Sequence, residues 1–146
     1  ADAQGAAGGP AAAPTLAPAP LIALFYLVFG FDEISVQYPR ELQHALQVTS
    51  DEADLAQYMP FAAKLLIKQG RTELATELLA LAFRYPAVSV GWVGRLPDVA
   101  RLRPGLEANL PPVAFHQSWT AGLDLDMQTA VRTLLPLLEQ GTGVGA

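Results

Sequence analysis

Two histidines, three groups of neighbouring carboxylates and four serines are the side chains here that could carry chemistry. A metal site needs convergent ligands, and His44 and His116 lie far apart with no partner at helical spacing that would make one. Both read better as packing or surface residues, His44 between Leu42 and Leu46 and His116 beside Phe115. The carboxylates pair as Asp32 with Glu33, Asp51 with Glu52 and Asp54, and Asp124 with Asp126. Acid–base catalysis needs two carboxylates held in different environments across a cleft. The last two groups stand where helices start, so capping is the preferred role. None of Ser35, Ser50, Ser89 and Ser118 sits in a nucleophile elbow. Gly91, Gly94, Gly141, Gly143 and Gly145 lack the setting of a phosphate loop. The chain has no cysteine, which excludes disulfides, thiolate zinc sites and thiol catalysis. The reading is therefore a chain that is not an enzyme, with no catalytic, cofactor-binding or metal-binding residue.

Charge narrows the field further. Nine Lys and Arg face fourteen Asp and Glu, a net charge of −5 over 146 residues. A polyanion binds by neutralisation, so no nucleic acid is expected as partner. The one local concentration of positive charge is Arg95, Arg101 and Arg103, with Arg84 able to join it. It would suit an acidic partner surface, the alternative being a solvated helix face.

The elements that would position these groups are helical. Residues 1–20 are almost all Ala, Gly and Pro and read as a linker or tail. The run Leu21 to Phe31, with Phe25, Tyr26 and Phe29, is too short to span a bilayer and lacks the positive start of a signal peptide. A buried helix is expected there. A helical domain over 21–140 and a flexible tail over 141–146 complete the chain. Within the domain, Leu42, Ala45, Leu46 and Val48 share one face of a helix. Thr49 or Ser50 should cap the next, Thr49 forming a capping box with Glu52. That helix should run toward Gln69 with a kink or restart at Pro60, and Gly70 should end it in a left-handed conformation. Thr72 to Arg84 follows as a helix, then a connector over 87–97. Helix is expected again from Asp98 to Leu110, from Pro111 to Gly122, and from Met127 to about Glu139, the last capped by Asp124 or Asp126. Pro104 should disturb the first of these and Pro136 should kink or shorten the last.

The pair of helices over 56–86 is the most specific feature. Small residues, Ala63, Ala75 and Ala82, alternate with large ones, Leu66, Leu78, Leu79 and Phe83, about a turn at Gly70. Small against large lets two antiparallel helices approach closely. Gly70, Ala75, Leu79, Ala82 and Pro86 together resemble a tetratricopeptide repeat, with the proline one position early. Beyond it, Leu106 to Leu110, Phe115 to Gly122 and Asp124 to Leu135 resemble, in order, the C-terminal helical array of bacterial signalling ATPases and of LuxR-type, MalT-like transcription regulators. The resemblance covers roughly residues 50–138, with Pro104 and Pro136 standing where the family keeps uninterrupted helix.

The resemblance implies an all-α fold, antiparallel hairpins of a tetratricopeptide-like α-solenoid closed by a C-terminal capping helix pair. It implies a cytoplasmic, non-catalytic protein-interaction or scaffold module at the end of a bacterial signalling or transcription-regulatory protein. Its partners would be other helical repeats of the same parent chain, a partner protein or a second copy. The end of a solenoid needs a seal, and Phe115 and Trp119, four apart on one face, are expected to supply it. The alternative is a membrane-associated or self-assembling structural subunit using the apolar segment 21–31.

Overall fold

A computed structural model of the chain describes residues 37–143, all of whose regular structure is helical. The expected linker, the apolar run at 21–31 and the last three residues of the tail lie outside the described residues. Among the described residues there are nine helices: α1 (Gln37–Val48), α2 (Glu52–Lys68), α3 (Thr72–Phe83), α4 (Pro86–Ser89), α5 (Trp92–Arg95), α6 (Pro97–Ala100), α7 (Leu102–Asn109), α8 (Pro112–Leu123) and α9 (Met127–Gly143).

The α2–α3 hairpin is the centre of the packing. Its start is capped by Asp51, whose Oδ1 accepts the backbone N–H of Asp54 at 3.1 Å. The expected cap at Thr49 or Ser50 is thus displaced to the next side-chain acceptor along, the one that stands three residues before a free N–H. The helix continues unbroken through the buried Pro60. At the other end Gly70 has φ +82°. The Arg71 N–H donates to the Leu66 carbonyl at 2.8 Å and that of Gly70 to Ile67 at 3.0 Å. Together these bonds make a Schellman turn, which only a residue tolerant of left-handed backbone closes without strain. The open end of the hairpin is clasped by Tyr85, whose hydroxyl donates to the Glu52 carboxylate at 3.0 Å.

α3 is packed on two sides, by α2 and by α8. Helical spacing puts Ala75, Leu78, Leu79 and Ala82 on one stripe and Glu77 and Ala80 on the opposite one. The second stripe meets α8 at Gly122. A Cβ built there would lie 2.1 Å from the Glu77 carbonyl oxygen and 2.8 Å from the Ala80 Cβ. Read in the sequence as a terminator, Gly122 lies inside α8 and sets how near the two backbones come.

α9 goes elsewhere. It packs on α1 and, less extensively, on α2. Its buried stripe Met127, Ala130, Leu134 and Leu138 answers Tyr38, Leu42 and Leu46 of α1. Gln43 donates its side-chain amide to the Leu135 carbonyl at 3.4 Å, and the Tyr38 hydroxyl donates to the Phe61 carbonyl of α2 at 3.0 Å. The last two helices therefore do not form the expected capping pair: α8 lies on α3, and α9 returns to the beginning of the described chain. Asp126 caps α9, accepting the Thr129 N–H at 3.0 Å. Pro136 is accommodated within α9, which runs on to Gly143. Val48, expected on the core face of α1, is 61% exposed.

Residues 86–100 form neither a strand nor a plain loop but three single-turn helices, each started by a proline or following a glycine. Val88, Val93 and Val99 are their buried anchors. Pro104 falls in the first turn of α7, where a missing N–H costs no helical hydrogen bond.

The α3–α8 contact carries a pH dependence. Burial, and then the Glu73 carboxylate one turn away, raise the Glu77 pKa above the ordinary glutamate value. A carboxyl whose folded pKa is raised opposes folding once ionised. Its penalty is absent below the unfolded-state pKa and grows as pH rises through the interval up to the folded value. Glu77→Gln is expected to raise the thermal midpoint at neutral pH by roughly 1–3 °C and to leave it unchanged near pH 3. Calorimetry at the two pH values checks this, and a lower midpoint at neutral pH would contradict it.

Candidate functional site

Most of the residues expected to pack the hairpin lie at its interior, while Gly70 is exposed at the turn. Ala63, Leu66, Ala75, Leu79 and Ala82 are fully buried. Phe83 is not among them. It is half-buried at the end of α3 and lines a cleft instead.

The arginines read as one cluster are sorted onto four different tasks. Arg84 donates to the carbonyls of Leu123 at 2.5 Å and Leu125 at 3.2 Å, at the end of α8 and just beyond it. A cation is favoured there by the helix dipole and by the orphaned carbonyls. Arg95 donates to the Val90 carbonyl at 2.8 Å and braces the α4–α5 junction. Arg101 forms a 2.8 Å ion pair with Asp98. Arg103 turns the other way, because residues two apart on a helix do not share a face. Its guanidinium lies 4.2 Å from the centre of the Trp119 ring and 6.0 Å from that of Phe115. Its Nε is 3.5 Å from a Glu107 carboxylate oxygen.

Phe115 and Trp119 stack with centroids 5.7 Å apart and planes inclined by 25°. Sequence reasoning placed these two on one helical face. It did not join them to Arg103, since the guanidinium reaches them from another helix. A positive charge over an aromatic face is attracted by the ring quadrupole, contributing about 0.5–1 kcal/mol at a site this open. Trp119, one ring of the stack, lines a cleft of about 420 Å³. Phe83 and Trp119 supply aromatic surface, Val99 and Pro104 aliphatic surface, and Arg103 the charge. Such a lining offers a ligand apolar area and one cation held over an aromatic face.

α8 also has an outer side. The helix carries no Asp, Glu, Lys or Arg from Pro112 to Leu123. Phe115, Ser118 and Gly122 face inward, while Val113 is 69% and Leu123 41% exposed. His116 and His44 are both exposed. Among the described residues no three His, Asp or Glu side chains are grouped so as to hold a metal ion, and no helix is long and apolar enough to cross a membrane. No protein-family model, no curated protein and no solved structure matches this chain.

Proposed function

We propose that this chain is a non-catalytic protein–protein interaction module, the terminal helical-repeat part of a bacterial signalling or transcription-regulatory protein. The observation that carries the reading is the two-sidedness of α8. One face is committed to α3 through Gly122, and the other is uncharged and exposes Val113 and Leu123. A helix stacked on a hairpin with an uncharged outer face is what the end of a repeat array presents to the next body. The α2–α3 hairpin, with its Schellman turn and its small-against-large interior, supports a tetratricopeptide-like unit. The return of α9 to α1 is an addition to that plan, one that shields the far side of the hairpin and leaves α8 as the face open to a partner.

Photo-crosslinking tests this. A photoreactive side chain at Val113, Gln117 or Leu123 should give one discrete adduct in cells, whereas the same group at the exposed Gln47 of α1 should give none. No adduct at any position, or equal adducts at all of them, would remove α8 as the contact face.

A further inference from the structure

A second groove lies between the C-terminal half of α2 and α6–α7, and is about 350 Å³ in volume. Its rim carries Lys64, Lys68 and Arg101, and its one carboxylate is Asp98. Asp98 is already engaged by Arg101. The groove therefore holds three cations and one carboxylate in a chain whose net charge is −5. Lys64 and Lys68 stand one turn apart on α2, where like charges repel. Neither has a carboxylate within ion-pair distance among the described residues. Lys68 gains something from the helix dipole in the last turn of α2, but Lys64, a turn earlier, does not. The floor is apolar: Leu102 and Leu106 are buried there and Ile67 is half-buried. Asn109 also lines the groove, donating one amide hydrogen to the Gly105 carbonyl at 2.9 Å. Its second N–H and its carbonyl remain as hydrogen-bonding groups of the kind an extended backbone uses.

We propose that this groove binds an acidic segment of a partner polypeptide, one in which an apolar residue adjoins a carboxylate. The apolar side chain would lie over Leu102 and Leu106, the carboxylate between Lys64 and Lys68, and the backbone against Asn109. The chemistry favours a peptide over the other anions. A nucleic acid would bring many phosphates toward a chain whose net charge is −5. A free phosphate would find no fork of buried donors, since the Arg101 side chain is 71% exposed and already paired. The proposal is independent of the reading of α8, whose outer face lies on a different helix and carries no charge.

Fluorescence anisotropy decides it, using a short labelled peptide that alternates Asp and Leu and a control peptide with Asn in place of each Asp. The acidic peptide should bind the full chain and the Asn peptide should not. Lys64→Glu/Lys68→Glu should weaken binding at least about tenfold, with helicity by circular dichroism unchanged. Arg40→Glu, an exposed charge reversal on α1, should leave it unaltered. Equal binding of both peptides, an equal loss in Arg40→Glu, or displacement by inorganic phosphate at the peptide's own concentration would each overturn the proposal. So would failure of the acidic peptide to bind at low ionic strength, where exposed charges attract most strongly.

Discussion

Gly122→Ala is expected to lower the thermal midpoint by roughly 5–10 °C, against the direction that helix propensity alone would give. Alanine inside a helix is favoured over glycine by up to about 1 kcal/mol. Here the added methyl would sit 2.1 Å from the Glu77 carbonyl oxygen. That atom belongs to the α3 backbone and cannot rotate aside, so α8 must back away. Overpacking of this kind costs about 1–3 kcal/mol, and α8 then loses part of its contact with α3 as well. The clash wins, with a net loss of about 2 kcal/mol, and Gly122→Leu should lose more. Gly105 in α7 supplies the contrast, because a Cβ there meets nothing within 4 Å. Gly105→Ala should raise the midpoint by a few degrees, on the order of the propensity gain. Thermal melts of the two variants should move in opposite directions. If Gly122→Ala is as stable as the parent, the close approach of α3 and α8 is wrong.

Leu79→Ala should cost still more, about 3–4 kcal/mol. Leu79 is fully buried on the stripe of α3 opposite Glu77 and Ala80. With α2 on one side of α3 and α8 on the other, the hole left by three carbons has little room to collapse. Urea denaturation should show the midpoint falling with an unchanged slope, since the surface exposed on unfolding stays nearly the same. Val48→Ala is the matching control. Residue pattern puts Val48 with Leu42 and Leu46, yet it is 61% exposed at the end of α1. Its replacement should change stability by less than about 0.5 kcal/mol. A comparable loss in both variants would mean that α1 extends further into the core than its burial shows.

The hairpin was readable because its signals are local. Gly70 ends α2 through backbone freedom, and the alternation of Ala and Leu at helical spacing needs only α2 and α3 to be understood. Three things were hidden for a physical reason. First, Thr49, Ser50 and Asp51 are consecutive capping residues, and only the backbone decides which stands three before a free N–H. Second, the arginines at 84, 95, 101 and 103 look like neighbours in the sequence. Direction around a helix separates Arg101 from Arg103, and tertiary contact draws Arg84 to the end of α8 and Arg103 to Trp119. Third, the groove with Lys64 and Lys68 joins residues more than thirty positions from Arg101, and no window along the sequence contains it. The parting of α8 and α9 belongs to the same class. Each has one apolar stripe, and a stripe does not name the helix that will cover it.

The seam between α1 and α9 has a consequence for how the chain acquires its structure. Gln43 and Leu135, bonded across it, are 92 residues apart. The α2–α3 hairpin needs only a three-residue connection and can form as soon as it leaves the ribosome, whereas the seam must close a far longer loop. Tyr38, Leu42 and Leu46 are made some ninety residues before the stripe of α9 that covers them. At ribosomal speeds of about 5–20 residues per second, that leaves several seconds in which a sticky strip at the front of the domain waits for its lid.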